Sequence, residues 1–223
     1  MLKFSLFKIP VTVQWWFFLL AAFLGGALRA QTTEAMVKVL VFMGAAFVSI
    51  LVHELGHALT GMKCGARRVE IALHGMGGHA AFPGARFSRS SSILTTAAGP
   101  GASLALAILF WLCASVYFAG DMDYFWNYHY RVSLVGYFVG SMVYANIFWT
   151  IFNLCPLLPL DGGQILRDVL GPQKLKLTCI IGFVTLAILG FFLVVLTGSI
   201  FNLIVLFFLG SYNWQVWQAV NGK

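Results

Sequence analysis

Long stretches without a charged side chain dominate the sequence: residues 9–28, 90–120, 132–160 and 177–222 contain no Asp, Glu, Lys or Arg. A helix needs about 20 apolar residues to cross the hydrocarbon core of a bilayer, and each run reaches that length. The chain is 60% hydrophobic and 9% charged, where an average soluble chain is about 25% charged. This is the composition of an integral membrane protein. The last run is long enough for two helices, with Thr197-Gly198-Ser199 as a turn between them, and a further span lies between Lys38 and Lys63. The expected fold class is an all-α polytopic membrane protein. It has six transmembrane helices, near residues 11–28, 36–61, 93–118, 132–153, 177–197 and 200–218.

The net charge of +7 does not indicate nucleic acid, because the basic residues are scattered through short loops with no aromatic-rich soluble face. Membrane orientation accounts for them better. With a cytoplasmic amino terminus, all of the 14 Lys and Arg except Arg29, Lys38 and Arg131 fall on the inner side, as the positive-inside rule requires. Both termini are then cytoplasmic, and the plasma membrane is the expected location. Lys3, Lys8, the apolar run and Ala30 resemble a secretory signal. The run is long and Arg29 adjoins the would-be cleavage site, so a retained helix is expected. Cys64, Cys113, Cys155 and Cys179 form no CxxC pair or disulfide framework and read as small buried residues.

No repeat or linker interrupts the chain, which reads as a single domain over residues 1–223 with its core at 36–170. Between the second and third helices, Val69, Ile71 and Leu73 alternate with Arg68, Glu70 and Ala72 before GMGG leads into HAAF. Alternation followed by glycines predicts a small β-hairpin over 69–82, on the cytoplasmic side and with an open edge strand. Gly99-Pro100-Gly101-Ala102-Ser103 is expected to open the third helix, and Gly136 and Gly140 to serve close helix packing. Residues 119–131 read as a short external connection.

Against this background LVHELGHALTG, residues 51–61, places three ionisable groups inside an apolar helix. Such groups are costly in a membrane and default to function. His53 and His57 are one helical turn apart, so both imidazoles can reach one ion, with Glu54 close enough to contact a water on it. A catalytic zinc takes three protein ligands, so a third comes from elsewhere. In FNLCPLLPLDGGQILRDVL, residues 152–170, Pro156 and Pro159 break the helix and Gly162-Gly163 lets the backbone bend. Such a break lets Asp161 turn inward, and the freed carbonyls require that the broken segment line a polar or wet cavity. Asp161 as a helix cap is the plain alternative; His74, His79 and Cys155 are the competing ligands. Asp161 is preferred among them as the third zinc ligand.

His53-Glu54-Leu55-Gly56-His57, followed by Asn153, Pro156, Pro159, Asp161, Gly162 and Gly163 in the pattern NxxPxxPxDGG, resembles the site-2 protease family of intramembrane zinc metalloproteases. The likeness runs from residue 36 to about 170 and includes Gly99-Pro100 and the GMGG of the hairpin. It implies Zn2+ held by His53, His57 and Asp161, Glu54 as catalytic acid/base, and Asn153 as a helper near the scissile carbonyl. Members often carry a PDZ insert or a nucleotide-sensing domain, and neither is expected here. Ser103 stands where many relatives have asparagine.

The expected function is hydrolysis of peptide bonds in or near transmembrane segments of membrane-protein substrates within the lipid bilayer, in regulated proteolysis. The alternatives are a metal or ion transporter, since intramembrane histidines and acids also mark ion pathways, and an inactive scaffold that binds membrane helices.

Overall fold

The computed structural model describes residues 1–222 apart from Met76, Gly198 and Ser199. It is mainly helical, with one small sheet, and divides into two compact units.

The first unit comprises Met1–Arg86 and Ala98–Thr150. It opens with strands β1 (Leu2–Leu6) and β2 (Ile9–Val13), the helix α1 (Trp15–Leu24) and the long helix α2 (Thr33–Lys63). Strands β3 (Glu70–His74) and β4 (Gly77–Ala81) come next, giving a sheet of order β1-β2-β3-β4. Pairing is antiparallel except between β2 and β3, where Val11 lies beside Ile71 and Val13 beside Leu73. Ile9, Val11, Val13, Ile71 and Leu73 are all buried, so one apolar face of the sheet forms the core on which α1 and α2 pack.

The expected hairpin over 69–82 is present, and β4 lies at the edge of the sheet, paired among the described residues with β3 alone. The expected span over 11–28 is corrected. Its first residues join the sheet, because β-branched Ile9, Val11, Thr12 and Val13 suit a pleated strand. Beyond Gln14 the chain forms the 10-residue helix α1, roughly 15 Å long at 1.5 Å per residue, half of a hydrocarbon core.

Thr32 caps α2 by accepting a hydrogen bond from the Ala35 amide at 3.2 Å. Gly65, with φ of 101°, ends it in the left-handed conformation that costs glycine least, and the chain turns back into β3. Helix α3 (Arg89–Tyr117) starts a full ten residues before Gly99-Pro100. The expectation that this pair opens the helix is therefore corrected: Pro100 lies inside it. There it withholds one backbone donor, and its own carbonyl receives the Thr150 hydroxyl at 3.4 Å.

The connection at 119–131 is ordered into short turns, Met122–Tyr124, Phe125–His129 and Tyr130–Val132, with Asp121 accepting from the Tyr124 amide at 2.9 Å. Helix α4 (Leu134–Asn153) comes after them. Gly140 makes room for an aromatic side chain, since a Cβ there would lie 2.3 Å from the Tyr130 ring.

The second unit comprises Phe87–Ala97 and Ile151–Lys223. It contains the first turns of α3, the end of α4, and helices α5 (Asp161–Leu170), α6 (Leu175–Thr197) and α7 (Ile200–Asn221). Ser92 donates to Asp168 at 2.5 Å, and Arg89 donates to the Val169 carbonyl, tying α3 to the end of α5. Helices α6 and α7 pack together, joined by the buried Asn213 amide donating to the Cys179 carbonyl at 2.9 Å.

Among the described residues four helices are long and apolar enough to cross a membrane: Thr33–Lys63, Arg89–Tyr117, Leu134–Asn153 and Pro172–Leu193. The expected turn at Thr197-Gly198-Ser199 rests on Gly198 and Ser199, outside the described residues. Of the four cysteines only Cys179 is buried; Cys113 is exposed, which corrects the expectation that all four are interior.

Candidate metal centre

Helix α2 carries His53, Glu54 and His57, with relative exposures of 2%, 4% and 8%. The helical turn between the histidines sets their rings edge to face, with the two Nε2 atoms 3.1 Å apart. Two nitrogens at the usual 2.0–2.1 Å from one tetrahedral zinc are about 3.3 Å apart, so the pair already has the spacing of two ligands.

The surroundings explain why so many small residues occur here. A Cβ on Gly56 would lie 2.4 Å from the Ala98 carbonyl of α3, so Gly56 lets the two helices touch. One on Gly99 would lie 2.1 Å from His57 Nε2, so Gly99 provides the space the imidazole fills. One turn along α3, the hydroxyl of the fully buried Ser103 is 3.0 Å from His53 Nδ1. The other side of His53 faces Trp149 of α4, with ring centroids 6.2 Å apart.

The β-hairpin completes this face. A Cβ on Gly77 would meet the Trp149 ring at 2.8 Å, and one on Gly78 would lie 2.4 Å from both Cγ and Oε1 of Glu54. Strand β4 therefore begins with bare backbone laid against the carboxylate. His74 and His79 belong to the hairpin and take no part in a metal-binding group among the described residues. Burial, and secondarily the nearby His79, hold the His74 imidazole below its ordinary pKa.

In the second unit, Asn153 ends α4 with 9% exposure. Leu154–Leu160 then folds back, and Asp161 is the first residue of α5, 7% exposed. It is not the helix cap; Leu160 occupies that position without a side-chain hydrogen bond. Glycine is required at both of the next positions. A Cβ on Gly162 would lie 2.1 Å from the Leu154 carbonyl oxygen, and one on Gly163 would lie 2.4 Å from the Leu157 carbonyl carbon.

One ligand atom from each of His53, His57 and Asp161 lies within 4.8 Å of the others, and all three residues are buried. Two imidazoles and one carboxylate form a donor set that zinc accepts with a coordination position left open. Sequence patterns alone pointed to these three residues and Glu54. They did not assign Ser103 or Trp149 a place beside His53, or Gly78 one against Glu54. The GMGG signal pointed at a hairpin, not at the carboxylate beneath it.

Residues 127–192 match the family model described as Peptidase family M50, a segment that includes Asn153 and Asp161. The chain is 31% identical over 127 residues to zinc metalloprotease MJ0392 of Methanocaldococcus jannaschii, an alignment covering 57% of this chain and 33% of that protein. It is 28% identical over 130 residues to Rip3 of Mycobacterium tuberculosis, named as a candidate zinc metalloprotease, covering 55% of this chain and 29% of the relative. The aligned stretch thus spans about a third of these curated relatives. The fold is similar to that of the solved site-2 protease from Methanocaldococcus jannaschii, with a TM-score of 0.63 and 24% identity, covering 97% of this chain and 94% of that one.

Proposed function

From the match of residues 127–192 to the Peptidase family M50 model, the zinc metalloprotease relatives and the shared fold, we propose that the chain is a site-2 protease, which hydrolyses peptide bonds in or near transmembrane segments of membrane-protein substrates. The observation that carries the proposal is the compact buried group of His53, His57 and Asp161, with Glu54 beside it in the sequence. His53, His57 and Asp161 are the residues that would hold zinc. Zinc, when bound, supplies a Lewis acid that makes water nucleophilic near neutral pH.

Glu54 takes a proton from the attacking water and returns it to the leaving amine. Its burial beneath β4 keeps it from bulk solvent. Asn153 offers an amide donor to the carbonyl oxygen as negative charge develops. A helical substrate hides its amides, so the scissile stretch has to unwind, and the free edge of β4 offers main-chain hydrogen bonds to an extended peptide. Gly78 sets that edge beside Glu54. The corresponding role is regulated proteolysis in the plasma membrane, with both termini cytoplasmic.

The test uses purified wild type, Glu54→Gln and Asp161→Ala, with zinc content and cleavage of a model single-span peptide measured together. Glu54→Gln keeps zinc and loses cleavage by a factor on the order of 10²–10⁴. Asp161→Ala loses both. A Glu54→Gln protein that still cuts refutes the assignment, and solute flux that survives this substitution identifies a transporter instead.

A further inference from the structure

We propose that Ser103 is a positioning residue that sets the tautomer of His53, an inference that rests on the reading of this site as a zinc centre. Helices α2 and α3 meet in a matched register. Gly99 provides the space for His57, and Ser103, one turn further along α3, meets His53. The stretch Gly99-Pro100-Gly101-Ala102-Ser103 thus serves as the receptor for the His-Glu-Leu-Gly-His turn.

The imidazole of a neutral histidine carries one proton, on either Nδ1 or Nε2. If the Ser103 hydroxyl donated to Nδ1, the His53 proton would sit on Nε2. It would then point at His57 Nε2, 3.1 Å away, and consume both lone pairs that a metal needs. If Nδ1–H donates to Ser103 Oγ at 3.0 Å, the Nε2 lone pair of His53 is free. Only the second arrangement is compatible with an ion shared by the two rings. The partner of the non-ligating ring nitrogen commonly fixes a metal-bound histidine in this way. Ser103 is 0% exposed, so no solvent water competes for the bond, and its short side chain holds the oxygen close to the α3 backbone.

The experiment compares full-length wild type, Ser103→Ala, Ser103→Cys and Ser103→Thr in lipid nanodiscs, with zinc alone as the probe. Affinity is read by competition with a chelator, and the ring nitrogens of 15N-histidine-labelled protein by NMR. Alanine and the near-isosteric cysteine, a poor acceptor, bind zinc about 10–100-fold more weakly. Their His53 Nδ1 resonance moves from its hydrogen-bonded position. Threonine, which keeps the hydroxyl, restores both. Wild-type affinity and an unchanged imidazole spectrum in both the alanine and cysteine variants overturn the role of Ser103 while leaving the metal centre standing. A wild-type protein that takes up no zinc overturns the metal reading itself, and this assignment with it.

Discussion

Replacing Gly99 with alanine is the sharpest test of the packing around the histidines. Elsewhere in a helix interior this change is favourable, by roughly 0.5–1 kcal/mol. Here the new Cβ would lie 2.1 Å from His57 Nε2, 2.3 Å from Cε1 and 2.7 Å from Cδ2. Ordinary contact begins near 3.4 Å, so the ring has to retreat by more than an ångström. Metal–ligand distances tolerate only about 0.2 Å. The ring therefore leaves its place as a ligand, or the helices part at an overpacking cost of typically 1–3 kcal/mol. Zinc affinity is expected to fall at least 10-fold, measured by chelator competition, with thermal unfolding of the zinc-free protein recorded alongside. Gly101→Ala is the control: nothing lies within 4 Å of its Cβ, so it keeps zinc and gains slightly in stability. A Gly99→Ala protein matching wild type in both zinc affinity and zinc-free stability would refute the reasoning.

Gly162→Ala drives a Cβ to 2.1 Å from the Leu154 carbonyl. Backbone cannot yield as a side-chain tip does, so stability should drop by about 1–3 kcal/mol or more in denaturant titrations, whereas wild-type stability contradicts the packing described for this turn. His79→Pro interrupts β4 at an exposed position. Cleavage of the single-span peptide is expected to fall at least about 10-fold while zinc stays bound, given what main-chain pairing contributes to strand addition. Undiminished cleavage defeats the proposed docking on β4.

The candidate group of His53, His57 and Asp161 was legible because helical spacing alone brings His53 and His57 to one face, and because two prolines and two glycines mark where the later helix has to break. The strand pair at 69–82 was legible from alternation. The amino-terminal pair was not, for two reasons. Its turn uses Phe7 and Lys8 at φ of 51° and 67° in place of glycine or asparagine, so the usual hairpin signal is missing. Its second strand also runs directly into α1 without a charge, and the whole stretch imitates one membrane helix. Composition cannot separate a strand buried in a sheet from a helix buried in lipid when both are built from Ile, Val and Phe. Pro100 misled for a related reason. Proline favours the first turn of a helix, but α3 carries it in its interior, where the backbone donor is sacrificed. The place of Ser103 depended on the register of α2 against α3, which no local pattern encodes.

Where β4 runs past Glu54, the pair Gly77-Gly78 leaves the strand with no side chains to offer. On the docking proposed above, a peptide lying along these two residues would meet backbone amide hydrogens and carbonyl oxygens, which every residue type presents alike. Under that proposal, discrimination between one sequence and another would fall to surfaces away from this stretch, and to how readily a given membrane helix unravels.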